Sequence, residues 1–207
     1  MKRTLIFCIV ILSIDLYSQN NRTEFSGYFG GSLFGLRSNS EMTLNFKYGA
    51  SYTSGISFRH SIGYRPLMEY SLLYSNNDLL HNESITQYNS VDIPVRIKIY
   101  EGPEKLFFYS FGIFTSFITN VSVKSYSTEG ELLDYYSVYD NFYKINFGIS
   151  GSLGMRIVKL KNLSITIEIS DNLGLRTITK EYNGPQMPYF KFKSNSLSLL
   201  IGITYSF

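Results

Sequence analysis

The sequence lacks most of what a metal site, a disulfide or a nucleic-acid surface would need. Its 207 residues include one cysteine, two histidines and no tryptophan. The single cysteine excludes an internal disulfide, and no spacing typical of metal ligands, phosphate-binding glycine loops or catalytic nucleophiles is present. Lysine and arginine number 19 against 16 aspartates and glutamates, which is no basic footprint for nucleic acid. We therefore expect no metal, no cofactor and no nucleic-acid partner.

No apolar run is long enough for a transmembrane helix, which needs about 20 residues. The longest run spans residues 5–16; it follows Lys2 and Arg3 and precedes the small polar segment 17–19. This is the layout of a secretory signal peptide. We predict a signal peptide over residues 1–18, cleaved near Ser18, and one domain over residues 19–207. Lipidation of Cys8 is not favoured, because Phe7 stands where a small residue is expected.

What the sequence does contain is repeated alternation of apolar and polar residues, the pattern of half-exposed strands. In the final segment the odd positions, from Leu197 to Phe207, are apolar, and the even positions are mostly small or polar. Eight such segments occur, at residues 25–36, 48–62, 68–74, 91–100, 107–118, 143–157, 163–175 and 196–207. Most approach the ~9–11 residues that a tilted strand needs to cross a bilayer. The segment at 25–36 does not show which parity is apolar.

The connections between these segments alternate in length. Short links lie near residues 63–66, 101–105 and 159–162, and longer polar connections lie at about residues 37–47, 76–88, 122–141 and 177–195. Short turns at one end and long loops at the other are typical of a transmembrane β-barrel. We predict an all-β fold: an eight-stranded, antiparallel, up-and-down transmembrane barrel that follows the signal peptide. An even strand count places both termini at the short-turn end, which is the periplasmic end in such barrels.

The character of the polar face favours a membrane barrel over a soluble one. A soluble barrel alternates as well, with its apolar side chains inside, but its outer wall would carry many long charged residues. Here the polar face is mainly Ser, Thr, Asn and Gly, which suits the crowded interior of a narrow eight-strand barrel. Pro94 is the exception within a strand, since proline cannot donate to the ladder. We expect a bulge or a locally unpaired position there.

In order, these segments resemble the small outer-membrane β-barrel family common in Bacteroidota, the OmpA-type barrels often called the porin family. The resemblance covers the whole predicted mature chain, and the segments that carry it are YRPLMEYSLLYS, YNSVDIPVRIKIY, FFYSFGIFTSF, FGISGSLGMRI, ITIEISDNLGL and LSLLIGITYSF. Pro94 matches a proline usual at that place in the family. The resemblance implies a location in the bacterial outer membrane and a C-terminal assembly signal, Tyr205 and Phe207, read by the barrel-insertion machinery. It implies no particular activity, because fold does not determine function.

Charged residues of inward parity are the first candidates for a site. Lone charges in a confined interior are costly, so we expect them to pair in the lumen. The acids are Glu69, Asp92 and Glu168, and the bases are Arg59, Arg96, Lys98, Lys144 and Arg156. A salt-bridged plug is favoured over a gate or ion pathway, since eight strands leave little open bore. Glu168 should lie deepest; its basic partner cannot be read from the sequence.

Aromatic residues in the long connections are candidates for contact with a partner. They are Tyr135, Tyr136, Tyr139, Tyr182, Tyr189 and Phe190. Aromatic residues are enriched at interfaces and equally in the girdles of membrane barrels, so both interpretations stay open.

We predict a barrel with a plugged or very narrow lumen and a structural or interaction role through its loops. Its expected partners are outer-membrane lipid, the insertion machinery and other envelope proteins. A narrow pore for small solutes is the alternative. A lipid-modifying enzyme built around His60 is less favoured, because no serine or acid can be placed beside that histidine and an interfacial histidine is ordinary.

Overall fold

A computed structural model describes residues 23–38, 47–48, 51–62, 66–81, 84–102, 106–127, 129, 131–180 and 192–207. The strands are β1 Thr23–Ser38, β2 Lys47–Tyr48, β3 Ser51–Ser61, β4 Pro66–His81, β5 Ser84–Glu101, β6 Phe107–Tyr126, β7 Leu132–Ser137, β8 Ile145–Leu160, β9 Leu163–Gly174 and β10 Phe192–Ser206. A 3-10 helix spans Tyr139–Asn141. Among these residues no helix is long and apolar enough to cross a membrane. The predicted signal peptide lies outside the described residues.

Eight of the strands close into one antiparallel barrel, which confirms the predicted fold. The order around the wall is β1, β3, β4, β5, β6, β8, β9 and β10, and β10 pairs with β1. The backbone N–H of Phe207 donates to the carbonyl of Thr23 at 2.9 Å, so both ends of the described chain lie at the rim with the short turns. We call this rim the lower end and the opposite rim the upper end.

Alternation places the apolar face outward on every barrel strand. On β10, Leu199, Ile201 and Ile203 are more than half exposed, whereas Ser198 and Thr204 are buried. The parity of β1, which the sequence left open, is the same: Phe25, Phe29 and Leu33 point outward and Ser26, Tyr28 and Ser32 point inward. The outer surface is therefore a continuous apolar belt around a polar interior.

Three inward aromatic rings each lie over a glycine of the neighbouring strand. Tyr28 pairs with Gly202, Phe108 with Gly154, and Phe114 with Gly148. A Cβ atom on Gly154 would lie 2.2 Å from the Phe108 ring, and one on Gly202 would lie 2.7 Å from the Tyr28 ring. Glycine at these positions thus makes the space that lets large rings fill a narrow barrel.

The ladder between β4 and β5 is interrupted beside Pro94. Pairing runs from Pro66 opposite Ile99 to Tyr70 opposite Val95, and resumes in the same register at Leu73 opposite Asp92. Pro94, which has no N–H to donate, lies in the gap and still pairs with Phe114 of β6. Of the two expectations, the locally unpaired position is observed and the bulge is not.

Two of the predicted long loops are largely strand, which corrects the sequence analysis. Residues 76–81 and 84–88 continue β4 and β5 beyond the predicted barrel segments, so only two residues join them. Residues 122–126 continue β6, and β7 folds back against them. Pairing between strands satisfies the backbone hydrogen bonds of these segments although their residues are polar. Tertiary contacts therefore outweigh local propensity here. The wall is therefore taller on the β4–β5–β6 side.

Candidate functional site

Four charged side chains alternate in sign along one cross-strand row of the lumen. Glu24 on β1 stands opposite Arg59 on β3, Arg59 opposite Glu69 on β4, and Glu69 opposite Arg96 on β5. Arg59 contacts Glu24 at 2.8 Å and Glu69 at 2.9 Å, and Arg96 contacts Glu69 at 3.2 Å. Residues directly opposite in an antiparallel pair bring their side chains together, so strand register alone assembles this row.

Glu168 joins the row from the opposite wall of the barrel. It extends from β9 and contacts Arg96 at 3.0 Å and Lys98 at 2.9 Å. Lys98 also lies 3.4 Å from Glu69, and Arg156 on β8 lies 3.3 Å from Glu24. The sequence could not name the partners of Glu168; the structure identifies them as Arg96 and Lys98. We call these seven residues the lumen network: Glu24, Arg59, Glu69, Arg96, Lys98, Arg156 and Glu168.

Hydroxyl groups add hydrogen bonds to the lumen network. Tyr100 donates to Glu24 at 3.1 Å and Tyr28 donates to Glu69 at 3.4 Å. Arg59 donates to the Tyr28 hydroxyl and, at 2.8 Å, to Ser26. All seven side chains of the network are at most 3% exposed. Buried charges need this density of partners, because desolvation otherwise outweighs their mutual attraction.

Two of the predicted lumen charges lie apart from this network. Asp92 is buried nearer the upper end, where it lines a small cavity together with Ser90 and Ser116. Lys144 is not in the lumen, which corrects its prediction: it precedes β8, is exposed, and lies 5.1 Å from the centre of the Tyr139 ring. Lys144 would face inward if β8 began at residue 143, as predicted, but β8 begins at Ile145.

Apolar clusters lie above and below the polar residues of the lumen. At the lower end Leu67, Tyr100 and Phe108 pack together, and the Lys98 ammonium lies 4.0 Å from the centre of the Phe108 ring. The upper cluster consists of Phe34, Leu79, Tyr88, Ile118, Val121, Phe142, Ile178 and Phe192. Its rings stack across the bore, with 4.7 Å between the centroids of Phe34 and Tyr88.

Sequence reasoning missed Glu24 and the upper cluster, and of the two only the cluster left a signal. Glu24 is one residue before the predicted first strand, whose parity the sequence left open, and in the structure it points inward from β1. Phe34, Leu79 and Tyr88 also have inward parity at the upper ends of their strands. An apolar residue on a polar face at a strand end indicates a lid over the interior.

The predicted contact residues fall into three groups. Tyr135 and Tyr136 are exposed on β7 together with Leu132 and Leu133. Tyr139 is instead held against the barrel, because its hydroxyl donates to the carbonyl of Ile118 at 3.0 Å. Tyr182, Tyr189 and Phe190 lie outside the described residues. At the other end, the rings of Tyr205 and Phe207 meet edge to face with centroids 4.9 Å apart.

No cluster of three or more metal-ligating side chains occurs within the described part of the chain. His60 lies at the lower end of β3, where it stacks on Tyr70 with the ring centroids 5.7 Å apart. Both rings belong to the outward surface of β3 and β4.

This geometry, an apolar outer belt around a charged interior in eight closed strands, is the fold of small outer-membrane β-barrels. The chain is similar to Neisserial surface protein A, with 10% identity over 91% of this chain and 98% of that one and a TM-score of 0.52. It also matches OprG from Pseudomonas aeruginosa, with 12% identity over 90% of this chain and 95% of that one and a TM-score of 0.49. Ail of Yersinia pestis matches at 8% identity, over 90% and 99% of the chains, with a TM-score of 0.48. No protein-family model and no curated protein matches the sequence.

Proposed function

We propose that the chain is a bacterial outer-membrane protein that conducts no solutes and acts by contact through its upper end. The lower end faces the periplasm, which the chain reaches through the predicted signal peptide. Tyr205 and Phe207 then form the terminal signal for the barrel-insertion machinery. The proposal assigns no catalytic activity.

The distribution of polarity supports a membrane location. Large apolar side chains such as Phe29, Ile113 and Leu153 are about two-thirds exposed, while the charges of the lumen network are buried. In water this arrangement would expose the most costly surface and bury the most costly groups. In a bilayer the apolar belt meets hydrocarbon, and a closed barrel satisfies every backbone group within the wall.

The packing of the lumen supports a barrel that does not conduct. Solutes would have to cross the upper cluster, the lumen network and the lower cluster of Leu67, Tyr100 and Phe108 in turn. The network spans the bore, because Glu168 reaches from β9 to bases on β5. Opening it would leave buried charges unpaired, at a cost of about 3–5 kcal/mol for each broken pair.

Strand β7 is the single observation that carries the contact role. All six of its residues are exposed, including Leu133 at 67% and Tyr135 at 56%. Among the described residues it pairs only with β6, so its outer edge offers unpaired backbone groups to another strand. Leucine and tyrosine side chains along such an edge suit an extended segment of an envelope protein, which would add as a further strand.

Site-specific photo-crosslinking in the outer membrane tests the contact role. A photoreactive residue replaces Leu133 on β7 or, as a matched control, Leu160, which is equally exposed at the lower end of β8. We expect a discrete protein adduct from position 133 and none from position 160. The contact role is wrong if position 133 gives no adduct or if both positions give the same one.

Planar-bilayer recordings of the purified barrel test the closed lumen. We expect no steady conductance, because the lumen network and both apolar clusters lie across the bore. Well-resolved channels would instead establish the narrow pore. The membrane location itself is wrong if the protein is soluble without detergent and shows no heat-modifiable gel migration.

A further inference from the structure

Basic residues form a row across four adjacent strands at the upper end of the apolar belt. Arg37 on β1 stands opposite Lys193 on β10, Arg176 follows the end of β9, and Lys144 precedes β8. We call these four residues the basic row. Neither the lumen network nor the contact strand β7 involves any of them.

Backbone and ring contacts hold the two arginines of the row in place. The Arg37 guanidinium crosses β10 and donates to the carbonyl of Gly174 at 3.1 Å. Arg176 lies 4.6 Å from the centre of the Tyr143 ring and donates to the carbonyl of Ile145 at 3.5 Å. The Arg37 guanidinium thus reaches β9 next to Leu175, an exposed leucine at the top of the belt, and the Arg176 guanidinium lies over the start of the neighbouring β8.

The height of the row matches the boundary of a bilayer. Arg37 lies twelve residues above Phe25 on β1, and Lys193 lies twelve residues above Tyr205 on β10. At about 3.3 Å per residue and a tilt of about 40°, twelve residues rise about 30 Å along the barrel axis. The hydrocarbon core of a bilayer is about 30 Å thick. Phe25 and Tyr205 therefore mark the lower boundary of the hydrocarbon core. The basic row lies at the level of the head groups above its upper boundary.

The four cations of the basic row lie on one side of the barrel; outside the row, Lys124 at the upper end of β6 stands opposite Ile85 and near Asp78. On the opposite side, the outward residues at the upper ends of β4 and β5 are Asn76, Asp78, Gln87 and Asn89, which carry no positive charge. The described acids nearest the row are Asp140 in the 3-10 helix and Asp171, which lies lower on β9 opposite Leu197. The row therefore offers four cations above a surface that is apolar apart from Asp171.

We propose that the basic row binds the phosphate groups of an anionic lipid whose acyl chains lie on the belt formed by β8, β9, β10 and β1. A phosphate suits two guanidiniums held at neighbouring strands, since guanidiniums bind oxyanions through paired N–H donors. The apolar surface below suits the chains that are attached to a lipid phosphate. This inference rests on the proposed membrane location, but it does not depend on the contact role of β7.

Quenching of tryptophan fluorescence by brominated lipid tests the site. The chain has no tryptophan, so a single introduced tryptophan reports on the lipids next to it. One reporter is Leu197→Trp on β10, beneath the row. Its matched control is Val91→Trp on β5, an outward position at the same height, since each lies eight residues above an outward residue at the lower end, Tyr205 or Ile99. The protein is reconstituted in phosphatidylcholine vesicles that contain brominated phosphatidic acid or brominated phosphatidylcholine.

At position 197 we expect quenching to show at least about a fivefold preference for phosphatidic acid over phosphatidylcholine. At position 91 we expect no preference, that is, a ratio of about one. In the Leu197→Trp background, Arg37→Gln with Lys193→Gln should abolish the preference. Lys159→Gln with Lys161→Gln, which removes two charges at the lower end, should leave it unchanged.

Equal preference at both reporters, or full preference after Arg37→Gln with Lys193→Gln, would overturn the proposal. So would loss of the preference when inorganic phosphate only equals the phosphatidic acid in concentration at constant ionic strength, since the acyl chains would then add nothing to binding. Heat-modifiable migration of each variant is the folding check. If the parent barrel fails that check, the membrane location is wrong; if it passes and shows no preference, only the lipid site is wrong.

Discussion

Removing the Glu168 carboxylate should strongly destabilise the barrel. This carboxylate is the only group of β9 in the lumen network, and it contacts two fully buried cations, Arg96 and Lys98. Breaking a buried ion pair costs about 3–5 kcal/mol. Both cations keep a contact with Glu69, at 3.2 and 3.4 Å. We therefore expect Glu168→Leu to lower the free energy of unfolding by about 3 kcal/mol, the lower end of that range.

A second substitution should restore most of that loss. Glu168→Leu with Lys98→Met removes one charge of each sign, so the remaining network keeps the balance that it has in the parent. Replacing a buried pair by apolar residues of similar volume is often neutral, and we expect the double variant to lie within about 1 kcal/mol of the parent. Lys98→Met alone should cost about 2 kcal/mol or more, which would give a coupling free energy of about 4 kcal/mol or more, above the usual range of about 0.5–3 kcal/mol.

Urea titration in lipid vesicles measures these values, with the folded fraction read from heat-modifiable migration and from circular dichroism. The control is Glu101→Leu, the same substitution at an exposed position at the lower end, which should change stability by less than about 0.5 kcal/mol. The reasoning is refuted if Glu168→Leu behaves like this control, or if the double variant loses as much as the two single variants together.

Two further substitutions test the packing of the wall. Asp171 faces outward within the apolar belt, opposite Leu197 and Gly151, so Asp171→Leu should raise the free energy of unfolding by up to about 2 kcal/mol in bilayers; a loss in the same urea titration would mean that this carboxylate has a partner. Gly154→Ala places a Cβ 2.2 Å from the Phe108 ring and should cost about 1–3 kcal/mol. Gly151→Ala, which faces outward with its nearest atom 3.6 Å away, should be nearly neutral, and equal effects of the two substitutions would contradict the proposed role of Gly154.

The sequence was sufficient for the wall of the barrel because alternation is a local property. Outward and inward faces follow from parity alone, as on β5 and β10. The pairing within the lumen depends on register, which parity does not give. Arg59 pairs with Glu69 in the structure, whereas counting outward from the predicted link 63–66 would have placed Arg59 opposite Tyr70. Pairing Glu69 with Arg96 required recognising that polar residues 76–81 and 84–88 are strand.

Contacts across the bore were beyond local reasoning of any kind. Glu168 meets Arg96 and Lys98 because β9 and β5 stand on opposite sides of a closed barrel, and closure depends on the stagger of all eight strands. The position of Lys144 shows the converse limit. Parity placed it inward, but a residue before the first ladder pair is not bound by the alternation of the strand that follows.

The interruption beside Pro94 has a consequence for how the barrel would open. In many closed sheets the seam between the first and last strands is the natural place to separate, but here β1 and β10 pair without a break from Glu24 to Ser38. The wall instead lacks ladder pairs between Ser71–Leu72 and Ile93–Pro94, in the middle of β4 and β5. Ser71 and Leu72 both still pair with β3, and successive N–H groups of a strand point to opposite sides. Amide hydrogen exchange among the central wall positions should therefore be fastest at the one of Ser71 and Leu72 whose N–H faces β5. A pulling force should split the barrel in the middle of its sequence before it parts the two ends of the chain.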